Sequence, residues 1–449
     1  MHYDLAIKNG TLVTSAETRK TDIAVKDGKI SFIGDLNGSE TVQEVYDAAG
    51  LYILPGIIDA HVHFRDPGLT EKEDFETGSI AAAMGGITCI MDMPNVIPTT
   101  STAAIFCEKV KIAGEKSYID FGLFALLNND NTNEIEALVK AGAVGFKVFL
   151  GTSTGDIAAP SPETLDIQLK KCAVTGTRTG FHAETSEINA KSTALCKEKY
   201  KKSADYESCG IMLSEARPIE SEVLAVKKAL DLARLTNANI HIHHVTCKEG
   251  SDILAKAKLE GLPVTVETCP HYLFLNAENS SHKCYPPIRD KDNQKALWQA
   301  VKDGTIDMIA TDHAPHGAAE KNLPVWDMPA GLSGIETFVN LFLNEVNKGR
   351  LTLNDVVRLT SENPAKIWGI YPQKGSIAAG ADADFTIVDM NKKVKIEADK
   401  LYSKSKTTPY DGWELQGAPA ATIVRGKFVM KNGELTGSKG YGKLLVNKK

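Results

Sequence analysis

The sequence predicts an α/β protein: a (β/α)8 TIM-type barrel with a smaller β-sandwich module built from both chain ends. Three observations predict it. Short apolar runs alternate with helical stretches through the middle of the chain. Both ends carry strand patterns punctuated by KNG and KDGK turns. The length, 449 residues, exceeds what one small core needs and suits a large barrel or several domains.

The amino-terminal end reads as short strands, YDLAIKN, GTLV and TDIAVKDGKISFIGD, where the turn residues allow antiparallel hairpins. The carboxy-terminal end reads alike, with DADFTIVDM and AATIVRGKFVMKNGEL. Between them the order is GITCIMDM, a helix near 101–116, YIDFGLFAL, NEIEALVKAG as helix, VGFKVFL, RTGFHAE, a long helix SEVLAVKKALDLARLT, NIHIHHV, a helix SDILAKAKLEG, PVTVETC, a helix NQKALWQAVKDG, and DMIATDHA. This βα alternation implies a parallel sheet. About eight such units fit a closed barrel better than an open doubly wound sheet. GTSTG at 151–155 lacks the GxGxxG spacing of a nucleotide fold. The expected division is 1–53 for the first part of the sandwich, 54–368 for the barrel, and 369–449 for the rest of the sandwich.

Composition removes several function classes. Hydrophobic residues make up 43% and charged residues 24%, ordinary for a globular chain. Net charge is −6, and the one dense basic run, KEKYKK at 197–202, reads as a solvated helix face. Nucleic acid and anionic membrane are therefore not expected partners. MHYDLAIKNG carries Asp4 and Lys8 in place of an apolar signal core, and no apolar run reaches 18 residues. Eight scattered cysteines form no CxxC pair and read as reduced thiols, so the expected location is cytoplasmic.

The chemistry concentrates at strand ends. In HVHFRDPG, 61–68, His61 and His63 lie two apart, so on a strand both imidazoles face one point. Imidazole is the commonest metal ligand near neutral pH. Lys147 lies in VGFKVFL, His182 ends GFHAE, His244 ends IHIHHV, and Asp312 follows DMIAT. All six fall on the side of the barrel where such folds place their chemistry. Satisfied core histidines explain one or two of these positions, not the series. His243 has the opposite strand parity to His244 and is expected on the barrel's outer side; His241 and His243 are assigned structural or supporting roles.

These residues resemble the amidohydrolase superfamily and, within it, the cyclic amidohydrolases. The likeness runs through PGIIDAHVHFRDPG, FKVFL, HVT at 244–246, ETCPHYLFL, TDHAPH and GSIAAGADADFTIVD. HFRDPG, with DMPN at 92–95, looks most like the dihydroorotases. The resemblance implies two zinc ions held by His61, His63, His182, His244 and Asp312, bridged by a carboxylated Lys147. A free lysine, with a pKa of about 10.4, would be a cation beside two dications, whereas a carbamate is an anion with an oxygen for each. It also implies that Asp312 is the catalytic proton carrier in opening a cyclic amide, L-dihydroorotate giving N-carbamoyl-L-aspartate, with ring closure serving pyrimidine synthesis. Arg65, Asn95 and His316 would meet the substrate carboxylate, and Pro329, Ala330 and Gly331 the ring. Tyr285, in KCYPPIR, stands where many dihydroorotases have an asparagine. Hydantoinase, dihydropyrimidinase or allantoinase specificity remains the alternative, and a non-catalytic scaffold the third reading. A salt bridge to Asp66 is the competing role for Arg65. The expected partners are a small-molecule substrate, further copies of the chain as dimer or tetramer, and aspartate transcarbamoylase. Loops 151–162 and 316–334 are expected to border the site, the first as a lid or a plain connection.

Overall fold

The computed structural model describes residues 2–38, 40–151, 157–201 and 209–447. Residues 152–156 of the expected lid and Lys202 of KEKYKK lie outside them. Eight parallel strands, in sequential order, form the central sheet: β1 (Ile57–Val62), β2 (Ile87–Asp92), β3 (Asp120–Leu126), β4 (Gly145–Phe149), β5 (Thr179–His182), β6 (Ile240–Ile242), β7 (Val264–Thr268) and β8 (Met308–Ile309). The chain is a parallel barrel with additional sheets, as the βα alternation predicts.

Local signals start the helices. Thr102 caps Ala103–Lys116 by accepting from the Ile105 N–H, and Asp290 caps Lys291–Lys302 through Asn293. The sequence reading missed the helix Phe75–Met84, whose first turn is capped by Asp74. It is buried on most sides, so it lacks the amphipathic stripe that marks a surface helix.

β8 is only two residues long, so the seam is closed beyond it. Val62 bridges His313, and the His63 N–H donates to the His313 carbonyl at 2.8 Å. Asp59, buried in β1, accepts from the Thr311 N–H at 3.0 Å and the Thr311 hydroxyl at 2.5 Å. Two of the candidate ligands, His63 and Asp312, are thereby held on the two sides of one stitched seam. The far end of the barrel is plugged by Trp368, whose ring meets Phe124 edge-on at 4.6 Å. Gly145 makes room for it, since a Cβ there would sit 2.6 Å from the indole.

Outside the barrel lie two more sheets. One has four strands, ordered Lys29–Gly34, Asp22–Lys26, His2–Lys8 and Thr41–Asp47. The other has seven, and it joins Thr11–Val13, Thr18–Lys20 and Tyr52–Pro55 to Phe385–Lys395, Glu414–Val424, Lys427–Lys431 and Glu434–Leu435. Strands from both chain ends thus share one sheet. Leu5, Ile7, Ile23 and Val25 of the first sheet pack on Ile53, Phe385, Ile387 and Ile423 of the second.

A buried ionic junction ties these sheets to the barrel. Lys374 Nζ contacts Asp120 and Asp384 at 2.5 Å each and Asp382 at 3.0 Å, and Arg425 closes on Asp120. Removing the ammonium leaves Asp120 with Arg425 and Asp382 with Lys29, while buried Asp384 keeps no side-chain cation among the described residues. Lys374→Met is expected to lower unfolding stability by about 3–5 kcal/mol, read as a lower denaturant midpoint. An unchanged midpoint would show that the junction adds nothing to stability.

Candidate active site and metal centre

The ends of the barrel strands build one cavity, which brings His61, His63, Lys147, His182, His244 and Asp312 together. His61 lies within β1, Lys147 in the middle of β4, and His182 at the end of β5. His63, His244 and Asp312 follow the ends of β1, β6 and β8. Arg65, His244 and Asp312 have left-handed backbone, with φ of +61°, +40° and +47°. Such strain in non-glycine residues clusters at functional sites, where the surroundings hold it.

Arg65, Asn95, Tyr285, Ala330 and Gly331 line the same cavity. His316 and Pro329 are not on its wall. His316 backs it, with Nε2 3.0 Å from the Ala330 carbonyl and 3.5 Å from Arg65 Nη2. Pro329 offers its carbonyl to Lys321 Nζ at 3.0 Å.

The expected outward orientation of His243 is wrong. Its ring is buried, 4.6 Å from the His61 ring centroid, and its Nδ1 lies 3.1 Å from Glu267 Oε1. The parity argument took His244 as the inward residue of a continuing strand. β6 ends at Ile242, and the left-handed turn at His244 swings that side chain into the site out of alternation. His241 and His243, two apart, then both face the barrel interior. Gly180 admits the second ring, because a Cβ there would lie 2.0 Å from His243 Nε2.

The sequence reading also missed two carboxylates. Glu267, on β7, bonds His61 Nδ1 and His243 Nδ1 through Oε1 and lies 3.1 Å from His241 Nε2 through Oε2. Glu184 Oε2 accepts from His182 Nε2 at 2.9 Å. Each occupies the ring nitrogen that faces away from the cavity. HxE spacing in HAE and the inward parity of Glu267 on PVTVETC were the available signals.

The electrostatics leave these groups in ligand form. Burial lowers the pKa of His61, His63, His182 and His244, so the rings are neutral near pH 7. Burial would raise the Asp312 carboxyl, but its contact with His63 and the nearby His244 and His271 outweigh burial and hold the group well below the usual carboxylate range. Burial also pushes Lys147 down to about 8, against the pull of Glu267 and Asp312, so a neutral amine is accessible near physiological pH.

A neutral imidazole has one ring proton. His63 gives its Nδ1–H to Asn95 Oδ1 at 2.7 Å, so Nε2 presents a bare lone pair to Asp312 Oδ1 at 3.1 Å. His61 Nε2 faces the same oxygen at 3.4 Å. Acceptors this close call for a cation among them. His182, held by Glu184, turns its Nδ1 toward His244 Nε2 at 3.0 Å, a separation that suits two nitrogens each about 2.0–2.1 Å from one zinc. The donor set fits a divalent-metal centre.

With this geometry, comparison with known proteins is decisive at the family level. A family model described as "Amidohydrolase family" matches residues 52–429. This chain belongs to the amidohydrolase family.

Among curated proteins, the dihydroorotase of Methanothermobacter thermautotrophicus is 36% identical over 92% of each chain. The allantoinase of Deinococcus radiodurans is 35% identical over 98% of each. Among solved structures, the L-hydantoinase (dihydropyrimidinase) from Arthrobacter aurescens superposes with a TM-score of 0.93 at 34% identity, covering 99% of this chain and 100% of that one. The amidohydrolase is therefore an enzyme of the cyclic amide hydrolase type. Three differently named relatives stand at nearly equal identity, so overall likeness does not choose the ring; the pocket must.

Carboxylates behind ligating histidines typically raise metal affinity about 10–100-fold. Glu267→Gln keeps the size of the side chain but cannot accept from three imidazoles. The variant is expected to remain folded and to give up zinc to a chelator at about 10-fold lower chelator concentration or less. Zinc retention equal to the parent protein would remove Glu267 from the metal site.

Proposed function

We propose that this amidohydrolase is a zinc-dependent dihydroorotase, which reversibly hydrolyses the cyclic amide of L-dihydroorotate to N-carbamoyl-L-aspartate. Arg65 carries the reading. Its guanidinium is buried on the cavity wall, and burial lowers its pKa only to about 10, so it remains a cation. The salt bridge to Asp66 is not formed: Asp66 pairs with Lys116 at 2.7 Å. Among the described residues Arg65 Nε has no hydrogen-bond partner and the guanidinium has no ion pair within 4.0 Å. A buried cation beside the histidine cluster that is attracted by carboxylates but in direct contact with none asks for an anionic ligand. A ring bearing a carboxylate supplies one, whereas hydantoin and dihydrouracil do not.

In this reading His61, His63, His182, His244 and Asp312, with Lys147 carboxylated by CO2, would hold the zinc. Zinc there supplies Lewis acidity and a water acidic enough to be a nucleophile near neutral pH. The protein does the rest. Arg65 forms a bidentate pair with the substrate carboxylate and fixes the ring's orientation. Asp312, kept anionic by its imidazole neighbours, takes a proton at its carboxylate oxygen and returns it to the ring nitrogen as the C–N bond breaks. Asn95 holds His63 and contributes to the wall near Arg65. Ala330 and Gly331 bring backbone groups to the ring.

One observation favours a second reading. Tyr285 lines the cavity where the resemblance leads one to expect asparagine, and a different ring, of the hydantoinase or allantoinase kind, would account for it. Ring opening of L-dihydroorotate, hydantoin, dihydrouracil and allantoin by the zinc-loaded enzyme separates the two. Dihydroorotate is expected to turn over fastest. Arg65→Ala is expected to lower kcat/KM for it by about 10²-fold, from roughly 3 kcal/mol of lost charged hydrogen bonding, with little effect on uncharged rings. Faster opening of an uncharged ring by the parent enzyme would overturn the proposal.

A further inference from the structure

We propose that Arg217 is a positioning residue that couples the substrate wall to the metal centre, gripping Glu184 behind His182 with its edge and backing the Tyr285 ring with its face. The inference deepens the proposed function, and its metal-binding half stands whichever cyclic amide is the substrate.

Arg217 sits between two helices, Cys209–Ala216 and Ile219–Thr236, and is buried. Pro218 stops the first helix from continuing through it. Arg289 Nη1 donates to the Arg217 carbonyl at 2.5 Å, which pins the backbone from a third segment. The side chain is thus held from behind.

Its edge forms a fork. Nε donates to Glu184 Oε1 at 2.9 Å and Nη2 to Glu184 Oε2. Asn189 Nδ2 adds a bond to Oε1 at 3.2 Å. The carboxylate is therefore fixed in plane and rotation, which a point-charge ammonium cannot do. Glu184 Oε2 then takes the His182 Nε2–H at 2.9 Å, so Nδ1 is the nitrogen presented toward His244. Through Glu184, Arg217 sets which nitrogen of His182 faces the cavity and in what orientation.

Its face does something different. The guanidinium carbon lies 3.7 Å from the Tyr285 ring centroid, a close stacked cation–π contact. Tyr285 lines the cavity together with His182 and Arg65. One guanidinium therefore supports the ring wall that a substrate meets and the carboxylate that orients a ligand. The tyrosine in KCYPPIR then has a physical role: its aromatic face matches a planar cation that is already required behind His182.

The test uses Arg217→Lys, Tyr285→Asn and Glu184→Gln in the full-length protein, with folding checked by circular dichroism. Zinc per chain is measured by elemental analysis after dialysis against increasing chelator. KM and kcat are measured at saturating zinc, on the cyclic amide the parent enzyme opens fastest. Arg217→Lys is expected to weaken retention of one of two zinc ions by about 10–100-fold and also to raise KM. Tyr285→Asn is expected to keep both ions while raising KM more than it lowers kcat. Glu184→Gln is expected to lose zinc without the KM change, and it decides the metal-binding half if Arg217→Lys does not fold. Parent-like zinc retention in Arg217→Lys or in Glu184→Gln would overturn the proposal, as would zinc loss in Tyr285→Asn matching that in Arg217→Lys. The zinc results do not depend on substrate, so failure of dihydroorotate turnover would sink the proposed function and leave this inference standing.

Discussion

Four neutral imidazoles, an anionic aspartate and a lysine share one buried cavity, and their lone pairs meet. His63 Nε2 and His61 Nε2 both approach Asp312 Oδ1, and His182 Nδ1 approaches His244 Nε2. Unpaired acceptors in a low-dielectric interior are costly, and like groups this close cost more. Much of the barrel mouth is organised around that constraint. Three of the four rings have an anchor outside the cavity: Asn95 for His63, Glu184 for His182, Glu267 for His61; His244 Nδ1 has no hydrogen-bond partner among the described residues. The bare side is left for cations. The apolar barrel makes the arrangement rigid, and rigidity is what keeps the ligands from turning to satisfy one another.

The anchors differ in how they are themselves held. Glu184 is clamped by Arg217, which outweighs the effect of burial and keeps its carboxyl well below the usual carboxylate range. Among the described residues Glu267 has no Lys or Arg in contact; burial pushes it well above that range, opposed chiefly by Lys147. The side of the site with Glu184 is therefore electrostatically closed, whereas the side with Glu267 depends on what Lys147 carries. Left-handed backbone at Arg65, His244 and Asp312 marks where the chain leaves its strands to aim side chains that regular strand geometry would send elsewhere. The stitched seam between β1 and β8 and the ionic junction around Lys374 hold the frame in which that strain persists.

Differently named relatives stand at nearly equal identity, so the question of the ring falls on the residues that line the cavity. Arg65 and Tyr285, both on the cavity wall, are the residues on which the proposed reading and its alternative rest. Arg65 forms no ion pair within 4.0 Å among the described residues, and its Nε has no hydrogen-bond partner there. Tyr285 is already committed on one side to Arg217, so its presence reflects the support behind the wall as well as the ligand in front of it.

The sequence by itself determined the architecture and the positions of the candidate ligands. Hydrophobic periodicity that switches between strand and helix is local, and a parallel barrel places every strand's carboxyl end on one side, so His61, His63, Lys147, His182, His244 and Asp312 could be grouped without coordinates. Three things were decided only by the tertiary structure. Glu267 reaches a histidine 206 residues away and Arg217 a glutamate 33 away, and no local pattern encodes such pairs. His243 faces inward because the chain bends after Ile242, where strand parity stops applying. Arg65 does not pair with its neighbour Asp66 because Lys116, from a separate helix, takes that carboxylate. Periodicity fixes which way a regular element points; ion-pair partners and strand-end bends are chosen by packing in three dimensions, and the finer chemistry of this site depends on those.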